Sequence, residues 1–176
     1  MKQRTPKRAP RRKQTPDFPI RVTKLSHEGR GLVRWGERML FIDGALPDEL
    51  VSVRVTKKSS KTAEGVAKEI LVPSPARGQP ECPHAAVCGG CSLQHLPHQS
   101  QINHKSSTLD ELMTREGIAL DQVTRLPPLL GPTLGYRRRA RLGVRWVHAK
   151  GRVLVGFRER GSNFIADIDG CPVLDP

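Results

Sequence analysis

The chain has 176 residues, enough for one medium domain or two small ones. Thirty lysines and arginines against 17 acids give a net charge of +13, which points to a polyanionic partner, and nucleic acid leads because no basic amphipathic helix with an aromatic face stands out. No stretch approaches the roughly 18 apolar residues of a membrane span and no apolar run opens the chain, so a cytoplasmic protein with reduced thiols is expected, with no membrane partner.

Residues 1–16 carry seven Lys/Arg, three prolines and no acid, so a disordered basic arm is expected there. It serves either as a solubilising tail or as a counterion-releasing contact to phosphates. Five β-rich segments follow: FPIRVTKL (18–25), GLVRW (31–35), RMLFI (38–42), ELVSVRVTKK (49–58) and TAEGVAKEILV (62–72). Turns at SHEGRG (26–31), Gly36, DGALPD (43–48) and KKSSK (57–61) separate them. Short strands with regular turns predict a small closed barrel of the OB-like kind. Its exposed Lys/Arg would present a surface for single-stranded nucleic acid. VPSPARGQP (72–80), with three prolines, is a linker.

The four cysteines come next. Cys82-x5-Cys88-x2-Cys91 sets three thiols within ten residues, and Cys171 follows far downstream at a Cys-Pro turn. Soft thiolates select zinc, copper(I) or iron–sulfur and exclude magnesium and calcium. Three-plus-one spacing is close to that by which cysteines hold iron–sulfur clusters. Structural zinc usually pairs its cysteines on two C-x2–4-C knuckles and stays the rival reading. Adjacent Gly89 and Gly90 suit a tight loop around a ligand rather than a packed core. His84 lies inside the loop and is read as a loop residue. All four cysteines are used in this way, so none is left as a nucleophile.

SLQHLPHQSQINHKSSTLDELMTREG (92–117) turns helical, with Leu109, Leu112 and Met113 at helical spacing and Gly117 to end it. IALDQVTRLPPLLGPT (118–133) is irregular. YRRRARLGVRWV (136–147), read with period two, puts Arg137, Arg139, Arg141 and Arg145 on one face. Tyr136, Ala140, Leu142, Val144 and Trp146 share the other. AKG (149–151) is a turn, and RVLVGFRER (152–160) is the partner strand with Val153, Val155 and Phe157 inward. Four guanidiniums in register favour phosphate contact, since the planar fork binds phosphate bidentately; the plain alternative is a solvated strand face.

These stretches also carry a resemblance. VTKLSHEGRGLVR (22–34) resembles the opening of a TRAM domain, a small RNA-binding barrel. CPHAAVCGGCSLQHL (82–96) resembles the cluster loop of the bacterial uracil-C5 RNA methyltransferases. GYRRRARLGVRW (135–146) and DIDGCPVLDP (167–176) resemble the central domain of that family, nearest to its members that act on 23S ribosomal RNA.

The resemblance implies a [4Fe-4S] cluster on Cys82, Cys88, Cys91 and Cys171, with a structural role in closing the loop between Cys91 and Cys171. RNA contact by the loop and oxidant sensing are the other roles open to it. It implies 23S rRNA as the partner of a monomer, and no DNA. The expected fold is mostly β with some α: a TRAM barrel over 17–75, a linker and iron–sulfur loop over 76–98, and the start of a central RNA-binding domain over 99–176. In the family S-adenosylmethionine supplies the methyl group, and the catalytic cysteine and general base lie further on. This sequence has no fifth cysteine and no glycine-rich turn for the methyl donor. The S-adenosylmethionine-binding catalytic domain is therefore expected to be absent, and the 176 residues to bind RNA without transferring a methyl group. Two alternatives stand. One is a stand-alone zinc or iron–sulfur RNA-binding module. The other is a radical S-adenosylmethionine enzyme, against which the C-x5-C-x2-C spacing argues.

Overall fold

A computed structural model describes residues 16–176. The basic arm expected at 1–16 falls, except for Pro16, outside the described residues. Strands β1 (Phe18–Arg21), β2 (Lys24–Leu25), β3 (Gly31–Trp35), β4 (Arg38–Asp43), β5 (Leu50–Lys58) and β6 (Thr62–Val72) form one mixed sheet. Its order is β1-β5-β6-β4-β3-β2, with β4 and β6 parallel and every other pair antiparallel.

The segment expected as one strand over 18–25 bends at Val22 and Thr23. Val22 turns its side chain into the core, 1% exposed, and its amide donates to Glu49 O at 2.9 Å. The first half then pairs with β5 and the second with β3. One bent strand thus joins both ends of the sheet and closes it into a barrel. Three register shifts between β5 and β6 supply the added twist that closure needs. Period-two alternation in β3, β4 and β5 sends Val33, Leu40, Ile42, Val51, Val53 and Val55 inward as the barrel core.

A buried ion pair fastens the linker to this barrel. Glu49 is fully buried and accepts from the Leu46 amide at 2.8 Å, the Ser74 amide at 3.2 Å and Arg77 Nη2 at 2.7 Å. Arg77 Nη2 also donates to Gly44 O at 2.8 Å. Burial pushes the Glu49 carboxyl up, but the Arg77 hydrogen bonds, the two amides and the Arg77 charge outweigh it and hold its pKa low.

Beyond the linker the chain is sparser. Helix α1 (His98–Arg115) ends where Gly117, at φ +81°, takes the left-handed conformation. The Gly117 amide bonds Thr114 O and the Ile118 amide bonds Met113 O, a Schellman closure. No α1 residue is buried.

Strands β7 (Gly143–Val147) and β8 (Arg152–Gly156) form a two-stranded hairpin. Here the structure corrects the sequence reading twice. The strand expected over 136–147 is regular only from Gly143, because residues 135–137 bond instead to the return segment 172–175. The inward phase of β8 is also reversed. Leu154 is 5% exposed, whereas Val153 and Val155 are 47% and 51% exposed. Gly156 shares the Leu154 face and lies against Ala166 O and Ile168, so the 165–168 return covers that face and leaves the other open.

Candidate functional site

The cysteine loop (82–91) takes its shape from the stretch that follows β8. The Gly89 amide donates to Arg158 O at 2.8 Å and the Arg160 amide to Val87 O at 2.9 Å, around an antiparallel bridge between Cys88 and Glu159. Arg160 then reaches across the loop. Its Nε donates to Ala85 O at 3.1 Å and its Nη2 to Cys91 O. Two close approaches explain the paired glycines. A Cβ at Gly89 would stand 2.8 Å from Arg158 O, and one at Gly90 would stand 2.8 Å from the Phe157 ring.

The fourth cysteine arrives by a separate tie. The Gly135 amide donates to Pro172 O at 2.9 Å, the Arg137 amide to Val173 O at 3.0 Å and the Asp175 amide to Arg137 O at 3.2 Å. This short parallel pairing carries Cys171 to the loop. Cys82, Cys88, Cys91 and Cys171 all line one cavity, walled by Ala85, Phe157, Ile168 and Val173, with Gln94, His84 and Arg137 completing it.

The thiols sense one another. Burial raises the Cys91 pKa; Gln94 lowers it by a hydrogen bond, and the charges of Cys171, Cys88 and Cys82 raise it further. Gln94 also accepts from the Cys82 amide at 3.0 Å, and the Gly90 amide donates to Cys88 Sγ at 3.4 Å. Four thiols gathered in a largely apolar pocket form a donor set suited to a soft metal. Among the described residues, however, no group of three or more His, Cys, Asp or Glu side chains is drawn in closely enough to hold a single metal ion.

His95 lies beneath the loop, buried, with Nε2 lacking a partner. Burial, then the Arg77 and Arg160 charges, push its pKa down to about 4 against the opposing Glu49 charge. Sequence reasoning singles out none of Arg160, Arg77, Gln94 and His95, although the last two lie within CPHAAVCGGCSLQHL (82–96). Their partners lie 69 residues away for Arg160 and 28 for Arg77, so no local pattern marks them.

The four arginines expected on one strand face do not share it. Arg145 lies in β7, while Arg139 and Arg141 lie in irregular chain and are exposed. Arg137 is half-buried at the cysteine cavity. On the barrel, Trp35 stacks on Phe18 with ring centroids 5.3 Å apart, and Lys58 Nζ stands 4.7 Å above the Trp35 ring. An aromatic face beside lysine is a surface on which an unpaired base can stack. No helix among the described residues is long and apolar enough to cross a membrane.

Comparison with known proteins adds three findings. Residues 15–68 match the TRAM domain. The chain is 50% identical over 160 residues to the 23S rRNA (uracil(1939)-C(5))-methyltransferase RlmD of Alkalilimnicola ehrlichii, covering 90% of this chain and 36% of that protein. With its namesake in Alcanivorax borkumensis identity is 46% over 170 residues, covering 96% and 38%. The crystal structure of Pyrococcus abyssi tRNA (uracil-54, C5)-methyltransferase in complex with S-adenosyl-L-homocysteine superposes with a TM-score of 0.60 at 27% identity, over 90% of this chain and 33% of that one. The chain therefore spans little more than a third of the length of the curated relatives it matches, at their N-terminal end.

Proposed function

We propose, on the premise that this TRAM-bearing chain is similar to the N-terminal third of the 23S rRNA uracil-C5 methyltransferases, that it is the RNA-recognising and cluster-binding portion of such an enzyme. The substrate is a uridine in 23S rRNA, and S-adenosylmethionine is the methyl donor when a catalytic domain is present. The barrel, with Trp35 and Lys58, and the exposed Arg139, Arg141 and Arg145 grip the RNA backbone and an unpaired base. Arg137, expected with them from the sequence, lines the cysteine cavity instead.

The observation that carries the reading is the convergence of Cys82, Cys88, Cys91 and Cys171 on one cavity, with 79 residues between Cys91 and Cys171. A [4Fe-4S] cubane fits that arrangement better than zinc. Structural zinc usually pairs its cysteines on two C-x2–4-C knuckles, whereas here the first gap is five residues and the fourth cysteine is remote. A cubane sets its ligands farther apart, each on its own iron. Its role is structural, since methyl transfer from S-adenosylmethionine to an activated pyrimidine moves no electron. Cytoplasmic localisation and a monomeric state belong to this reading.

Iron, sulfide and zinc are to be measured per chain on protein purified without oxygen. Near-equal iron and sulfide, about four of each, is the expected result. About one zinc with no sulfide would replace this reading with a stand-alone zinc module that binds RNA. The purified 176 residues are expected to retain a uridine-containing RNA and to transfer no methyl group to it. Methylated product from that protein would sink the assignment of catalysis to residues outside this sequence.

A further inference from the structure

We infer that Arg137 is the cation of the thiol site rather than a contact for RNA, and that it sets the charge balance and retention of the group the cysteines hold. This rests on the cluster reading above. Three observations converge on it.

The first is position. Arg137 is bonded through both its amide and its carbonyl to residues 173 and 175, the stretch immediately after Cys171. Delivering Cys171 to the cavity delivers Arg137 with it.

The second is fixation. The guanidinium carbon stands 5.2 Å from the centroid of the Phe157 ring, and Nε donates to Arg139 O at 3.3 Å. The same ring abuts Gly90 between Cys88 and Cys91. Arg137 is thus held against the wall that shapes the cysteine loop, whereas Arg139, Arg141 and Arg145 are exposed.

The third is charge. Among the residues lining the cavity, Arg137 is the one with a permanent charge. The other walls are apolar side chains, glycines, a glutamine and a histidine. Four thiolates would bring four negative charges, which an iron–sulfide core would offset only in part. In a pocket with few competing dipoles a neighbouring guanidinium is weakly screened. It stabilises the cluster, and most of all the form carrying one more electron, because net charge sets the potentials of such centres.

The test compares wild type with R137A, R137K and R139A, all purified without oxygen. Iron and sulfide content, reductive midpoint potential and the rate of iron release to a chelator are measured. Binding of a single-stranded uridine-containing RNA is followed against salt. R137A is expected to have a more negative potential and iron release on the order of 10-fold faster, as for other partners of metal ligands. R137K keeps the charge but loses the guanidinium's place over the Phe157 ring, and is expected to fall between the two. RNA affinity and its salt slope are expected to be unchanged in R137A and lowered in R139A.

A merely structural role would alter iron content without moving the potential of the cluster that remains. An unchanged potential and release rate in R137A overturns the inference. So does a fall of about one in its salt slope, the mark of a lost phosphate contact. If R137A holds no cluster, R137K decides: a protein as empty as R137A shows that charge is not what the site needs. Wild type free of iron and sulfide overturns the cluster reading itself, an outcome distinct from a mutant that behaves as wild type.

Discussion

The barrel and the chain beyond it reach order by different means. Among the described residues, ten of the sixteen buried apolar ones lie between Val22 and Ala63, against six in the longer stretch from Ala85 onward. The large exposed apolar residues are distributed the other way, with fourteen of sixteen beyond β6. The barrel closes its sheet and buries a continuous core, so the hydrophobic effect holds it. The second region has one uncovered helix, one two-stranded hairpin and a set of cross-chain hydrogen bonds that converge on four thiols. A hairpin is marginal by itself, and such a region depends on ligands and on surfaces that cover it. The lesson is that a recognition barrel can be self-sufficient while the part that joins it to anything larger is conditional.

The largest expected effect comes from removing the thiol that ties the ends of that region together. Cys171→Ser is expected to reduce iron to near zero and to open 92–170 to protease, while the barrel keeps its melting transition. Normal protease resistance in that variant would erase the contrast, because the second region would then be ordered without the fourth thiol. Glu49→Ala strikes the seam between the two. It removes a fully buried carboxylate that serves two amides and Arg77. A loss of about 3 kcal/mol in urea denaturation followed by Trp35 fluorescence is expected, since breaking a buried pair strands its partners. A change below about 1 kcal/mol would mean that water replaces the carboxylate.

The same division governs what was legible in the sequence. The barrel could be read because its information is local. Alternating Val, Leu and Ile mark each strand, and turn residues mark each boundary, so β3 and β6 lie where the pattern put them. The break at Val22 escaped, since a bend that lets one strand pair on two sides belongs to barrel closure and not to any window of residues. In the second region local pattern misled. The arginine-rich stretch alternates like a strand, yet residues 135–137 are taken by the 172–175 segment and only Gly143–Val147 pairs with β8. The cysteines stood out by spacing, whereas Arg160 did not, because the carbonyls it bonds lie 75 and 69 residues away.

Acidification sharpens the contrast further. His95 lies in the second region with its pKa pushed down to about 4 from an ordinary 6.5. A group whose folded pKa is depressed stays neutral while the unfolded chain takes up a proton, so its contribution to stability is complete above 6.5 and is lost as pH falls from there toward 4. Between pH 7 and 5.5 the expected loss is about 1 kcal/mol. Amide exchange at Gly78, whose N–H bonds His95 O at 2.9 Å, reports it locally. Glu49, with its lowered pKa, stays ionised over that interval and adds nothing to the step. His95→Leu should remove the step. A step that persists in that variant would assign it to another group.

The smallest effect tests how far α1 stands apart from everything else. Gly117 closes the helix in the left-handed conformation with open space around its Cα, so an alanine there meets no neighbour and suffers only backbone strain. That strain is about 1 kcal/mol. Because no residue of α1 is buried, the penalty has no packed partner through which to spread. Gly117→Ala is therefore expected to fray the last turn, with faster amide exchange at Gly117 and Ile118, and to leave the urea midpoint of the barrel where it was. A shift of that midpoint would show that the helix is coupled to the core through contacts it does not make in this structure, and the two regions would have to be treated as one cooperative unit.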